Sequence, residues 1–143
     1  MARTLAVLVA VFTVAMAATT AEAAYKPNMR AGFDLFTGGP PCNRAELMGG
    51  VFAYLPNLSD GQAKAVAKRY KPTRDGSLTV GGKTYKLRRY ARMDVARSDF
   101  VSWGFHAIKG VPASALGRRA TVRYVSAGGV VKASAVVARG TCA

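Results

Sequence analysis

The stretch Ser77–Val95, SLTVGGKTYKLRRYARMDV, carries Lys83, Lys86, Arg88, Arg89 and Arg92 against the single acid Asp94. Gly81-Gly82 supplies the positive φ values of a tight two-residue turn, so the residues on either side are expected to form a hairpin. The strand pattern then runs on to Val95. From Thr84 onward one face carries Tyr85, Leu87, Ala91, Met93 and Val95, broken by Arg89. The other face carries Thr84, Lys86, Arg88, Tyr90, Arg92 and Asp94. Cations on alternate strand positions stand about 6.6 Å apart, a spacing that can meet successive anionic groups. Tyr90 between them can stack on a base or sugar ring. The competing explanation is an ordinary solvated face whose cations guard an edge and whose stems cover apolar surface.

Further strands follow. DFVSWGFHAI (99–108) places Val101, Trp103, Phe105 and Ala107 on one side, as a core face does. RATVRYVS (119–126) and VVKASAVVA (130–138) flank Ala127-Gly128-Gly129 and read as a second hairpin. Upstream the period becomes helical. Ser59 and Gln62 form a capping box, and Ala63, Val66, Ala67 and Tyr70 follow the i, i+3, i+4, i+7 rule up to Pro72. This predicts a helix over 62–70 with Lys64, Lys68 and Arg69 outward, two of them in the last turn where cations suit the dipole. Lys64, Lys68, Arg69, Lys71 and Arg74 are expected on the same side as the basic strand. The expected ligand-binding set is therefore Lys64, Lys68, Lys86, Arg88, Tyr90 and Arg92.

The segment before the helix reads less clearly. Asn43 followed by Glu46 resembles another capping box, with Leu47, Val51, Tyr54 and Leu55 at helical spacing. Gly49-Gly50 works against that helix, and VFAYL (51–55) suits a short strand as well. The Gly- and Pro-rich 24–41 is expected to be an irregular or edge segment. The fold expected is α+β, a short helical N-terminal part followed by an antiparallel sheet of four to six strands, with a β-sandwich as the alternative.

The first residues have the form of a secretory leader. Arg3 precedes an apolar run, Leu5–Ala18, and Ala21-Glu22-Ala23 fits a signal-peptidase site. That run is shorter than the roughly 20 residues that span a bilayer as a helix. Residues 1–23 are thus expected to be a cleaved signal, and 24–143 to form one secreted, periplasmic or extracellular domain with no membrane-spanning segment after cleavage. Cys42 and Cys142 are expected to form a disulfide, since an exported chain oxidises an even pair and CxxC spacing is absent. Asn57-Leu58-Ser59 is an N-glycosylation sequon.

With 21 basic and 7 acidic residues the formal net charge is +14, which predicts attraction to polyanions. Chemistry has few parts to draw on. His106 is the sole histidine, so two-histidine acid–base catalysis is excluded. A nuclease arrangement would need Glu46, His106 and Arg88 or Arg92 to converge. The carboxylates Asp34, Asp60, Asp75, Asp94 and Asp99 lack metal-ligand spacing, and the nucleophile-elbow, HExxH and P-loop motifs are missing. Phe100, Trp103 and Phe105 suit a core better than a sugar platform. No catalytic residue, metal or cofactor is assigned. The expected function is a non-enzymatic binding protein for an anionic polymer or surface: nucleic acid, acidic glycan or anionic lipid. The alternatives are a structural subunit that pairs or self-associates through edge strands, and a small secreted hydrolase of anionic polymers.

Overall fold

The computed structural model describes residues 25–97 and 100–142, with 90–97 described as backbone only. The expected leader lies outside the described residues, as does Asp99. Strands dominate: β1 (Arg30–Gly39), β2 (Cys42–Tyr54), β3 (Gly76–Val80), β4 (Lys83–Leu87), β5 (Arg89–Arg97), β6 (Phe100–Phe105), β7 (Ile108–Lys109), β8 (Arg119–Ser126) and β9 (Gly129–Arg139). The helix, α1, spans Asp60–Arg69, and a 3-10 turn spans Ala113–Ala115.

The helix follows the sequence pattern. Ser59 caps it, its hydroxyl accepting from the Gln62 N–H while the Gln62 side chain accepts from the Ser59 N–H. Ala63, Val66 and Ala67 are buried. Both hairpins also form. Gly81 and Gly82 have φ of 58° and 75°, as a type I′ turn requires, and Ser126 pairs with Gly129 at the end of β8–β9.

Two N-terminal expectations are overturned. Residues 42–54 form a strand and not a capped helix, and 30–39 form β1, which lies inside the sheet between β9 and β2. The glycine pair belongs to this strand. A Cβ on Gly49 would lie 2.5 Å from the Gly32 carbonyl oxygen and from the Phe33 ring, so close packing of β1 on β2 admits only glycine there. Among the described residues the fold is a mixed, mostly antiparallel sheet with one α-helix, which follows β1 and β2 and does not precede the sheet.

Strand order is β4-β3-β8-β9-β1-β2-β6-β5, with β7 against β2 and the β1–β9 pair parallel. Flat, such a sheet would hold its outer strands about 34 Å apart, at about 4.8 Å per step. Yet β4 ends at Leu87 and β5 begins at Arg89, and two residues reach about 7 Å at most. The sheet therefore curls into a half-barrel.

Its concave side takes Trp103, Tyr124, Leu35, Leu78 and Val122, together with the apolar face of α1. The Trp103 indole donates to the Ala67 carbonyl at 3.1 Å, and the Tyr124 hydroxyl to the Tyr70 carbonyl at 3.0 Å. The Cys42–Cys142 disulfide, Cα atoms 5.7 Å apart, ties the start of β2 to the segment after β9.

Both the staple and the indole bond have measurable consequences for stability. Replacing both cysteines by serine opens a link between residues 100 apart in sequence and lowers unfolding stability by about 2–5 kcal/mol in urea titration. Trp103→Phe strands the Ala67 carbonyl and lowers it by about 2–4 kcal/mol, with circular dichroism unchanged at room temperature. An unmoved urea midpoint would show that the disulfide, or the indole bond, does not stabilise the fold.

Candidate functional site

The corner where β4 passes into β5 concentrates the basic residues. Asp75, just before β3, anchors it. Its carboxylate accepts from the Arg89 backbone N–H at 2.8 Å and pairs with the Lys86 ammonium at 3.2 Å. The Arg89 guanidinium donates to the Thr73 carbonyl at 3.2 Å, and Thr73 donates to the Val125 carbonyl of β8 through both its N–H and its hydroxyl. The Arg89 N–H bond, followed by the Lys86 ammonium, holds the Asp75 carboxyl below the usual aspartate range.

Beside this anchor lies an open pocket of about 600 Å³, lined by Lys86, Arg88, His106, Ala107, Ile108 and Lys109. Two pieces of chain bring these residues together. The β4–β5 corner supplies Lys86 and Arg88, the β6–β7 connection supplies His106, and β7 supplies Lys109. All four polar residues are exposed, and no carboxylate is among the lining residues.

A second feature follows from register. On the convex face Lys86 of β4 stands opposite Ser77 of β3, Ser77 opposite Arg123 of β8, and Arg123 opposite Lys132 of β9. This row crosses four strands over about 14 Å. Lys86, Arg123 and Lys132 are all exposed. The neighbouring row is made of hydroxyls: Thr79 contacts Thr84 at 3.1 Å and Thr121 contacts Ser134 at 2.8 Å. Lys86 belongs to both the row and the pocket, so the cations form one track from Lys132 to Lys109.

The single basic strand expected over 84–94 is not present. The chain breaks at Arg88 and crosses to the other end of the strand order. In β5, Arg89 pairs with Phe105 and Met93 with Trp103, so the stretch between carries a bulge that interrupts alternation. Lys86 and Arg88 remain together in the pocket. The Tyr90 and Arg92 side chains lie outside what is described. Lys64 and Lys68 are exposed on α1 and line neither the pocket nor the row. Glu46 stands opposite Lys109 but lines a different pocket with Arg44 and Met48, so the carboxylate of the nuclease arrangement is not in the wall beside His106.

Lys109, Arg123 and Lys132 are not among the residues that sequence pattern marks for the site. Arg123 and Lys132 do sit at polar positions of alternating strands, but only register aligns them with Lys86. Trp103 and Phe105 are core residues, whereas Phe100 faces outward and packs on Phe52 and Tyr54 with ring centroids 5.9 Å and 5.3 Å away.

Comparison with protein-family models, with curated proteins and with solved structures finds no match for this chain.

The depressed Asp75 carboxyl favours the folded state above the unfolded aspartate value of about 3.9, and that contribution disappears as pH falls through the lower folded value. Asp75→Asn should therefore melt below the parent chain at pH 5–7, with the gap closing towards pH 2. A gap of constant size across that range would show that the charge of Asp75 is not what matters.

Proposed function

We propose that this chain is an exported, non-enzymatic binding protein for an anionic polymer. The reading rests on one observation, the continuous track Lys132–Arg123–Lys86–Arg88 that ends beside His106 and Lys109. A row of about 14 Å matches several successive charges of a linear polymer better than a single small ion. The hydroxyl row beside it offers neutral donors to sugar or phosphate oxygens. The Lys86–Asp75 pair is exposed, so it holds Lys86 only weakly and yields to a multivalent anion. Export is supported by the leader-like start and by the disulfide, and no helix among the described residues is long and apolar enough to cross a membrane.

A specific observation also favours the structural-subunit reading. β9 pairs with β1 through Val137–Arg139 only, which leaves its first half with one unpaired side, and Val130 and Val136 are about half exposed. Assembly through that edge predicts a salt-independent oligomer by size-exclusion light scattering.

The leading reading predicts that affinity for single-stranded nucleic acid or an acidic glycan falls linearly with log salt, with a slope of about −0.7 per phosphate contacted on single strands. Arg123→Glu with Lys132→Glu should reduce that slope by about 1.4 and weaken binding more than tenfold, without lowering the melting temperature. Lys64→Glu with Lys68→Glu should have the smaller effect. Equal losses from both pairs would reduce the track to bulk charge, and no loss from the first pair would reject it. Anionic vesicles in the same titration test a surface against a polymer.

A further inference from the structure

The other end of β4 carries a different kind of site. Alternation there places Lys83 on the same side as Tyr85 and Leu87, the side that faces the concave interior. Lys83 itself is exposed at the start of the strand, as are Ser114 and Arg118 across from it, so these groups stand at the mouth of that side. Opposite it runs the loop through the 3-10 turn, fixed by backbone bonds. The Ala115 N–H donates to the Pro112 carbonyl at 2.9 Å, the Arg118 N–H to the Ala115 carbonyl at 3.1 Å, and the Val137 N–H to the Arg118 carbonyl at 2.9 Å. From that fixed backbone the Arg118 side chain reaches the Gly81-Gly82 turn, where its Nη1 lies 3.9 Å from the position a Gly81 Cβ would take.

Between turn and loop is a cavity of about 280 Å³ with Lys83, Tyr85, Ser114 and Arg118 as its polar walls and Val80 and Ala115 as its apolar ones. None of its lining residues is acidic, and neither Lys83 nor Arg118 has an ion-pair partner among the described residues. The Tyr85 hydroxyl is buried and without a hydrogen-bond partner among the described residues. A buried hydroxyl left unpaired is costly, so its persistence calls for something that completes it.

We propose that this cavity binds a single phosphate-type oxyanion, bonded by the Arg118 guanidinium and the Tyr85 and Ser114 hydroxyls and neutralised by Lys83. Each wall group can donate a hydrogen bond, and a tetrahedral anion offers acceptors in several directions at once. The cavity is smaller than sites that hold drug-sized ligands, which suits one phosphate group and not a polymer strand. The site shares no residue with the cationic track, so it stands or falls independently of the polymer-binding reading.

The test is a titration of the full chain with inorganic phosphate at constant ionic strength, followed by backbone amide shifts of Gly81, Ser114 and Ala115. Tyr85→Phe keeps the ring and removes only the hydroxyl, so the variant folds, and it should bind phosphate about tenfold more weakly. Arg118→Gln should abolish saturable binding. Lys64→Gln with Lys68→Gln, on α1 and away from the cavity, should bind as the parent chain does. Phosphate should also raise the melting temperature of the parent more than that of Tyr85→Phe. A short oligonucleotide with a 5′-phosphate, set against the same strand without it, separates the two sources. An advantage for the phosphorylated strand assigns the site to polymer ends, and equality assigns it to the free ion. Unchanged affinity in Tyr85→Phe, or weak non-saturating shifts spread over all basic residues, overturns the proposal.

Discussion

One residue, Arg88, links the two ends of an eight-strand order, and the remaining architecture follows from that tether. A sheet whose outermost strands are covalent neighbours cannot lie flat. It must bend until β4 and β5 meet, and its natural twist supplies the direction of the bend. The bend creates a concave side too deep for strand side chains alone, which α1 fills with Ala63, Val66 and Ala67. Trp103 and Tyr124 then use their polar ends to bind the helix carbonyls, so the filling is directional as well as apolar. At the tether the two edge strands diverge, because no ladder joins them, and the basic pocket opens where they part.

The convex face divides along the same line. β4, β3, β8 and β9 present Lys86, Arg123 and Lys132 with a row of hydroxyls beside them. β1, β2 and β6 present Phe52, Tyr54, Phe100 and Met48 over Gly32, Gly50 and Gly104, with Tyr54 56% exposed. An excess of charge spread evenly would serve solubility alone. Here three cations align in one row across β4, β3, β8 and β9, and the two pieces of chain that line the pocket bring theirs to the end of that row.

Period-two and period-3.6 patterns were legible where one of them was unambiguous. α1 had a capping box, four core positions at helical spacing and a proline stop, and it forms over the residues that these signals bracket. Residues 42–54 had none of that redundancy. Leu47 and Val51 are four apart, and a spacing of four satisfies both a helix and a strand, so the inward set could not decide. The glycine pair was the discriminating signal, since two adjacent glycines cost a helix more than they cost a strand pressed against Phe33. The basic stretch is divided between two strands for another reason. Alternation describes a strand but not its neighbours, and the Arg88 crossing and the bulge after Arg89 depend on pairings over long sequence distances. Arg123 and Lys132 sit at polar positions of two alternating runs, yet their alignment with Lys86 is a property of register through β3 and β8, which no local pattern encodes.

Charge and closure are coupled in this molecule. A net +14 repels itself, and compaction raises that repulsion by drawing the cations of β4, β5 and β8 together. The structure counters it sparingly at the corner. Asp75 faces Lys86 and the Arg89 N–H, and it sits where the two sheet ends must meet. The disulfide acts at another seam, holding the segment after β9 to the start of β2, and its contribution does not depend on salt. Cations left unneutralised by the fold are stabilised by whatever anion approaches them. Binding a polyanion along the track would therefore relieve a strain that folding itself creates, so ligand affinity and fold stability should draw on the same repulsion.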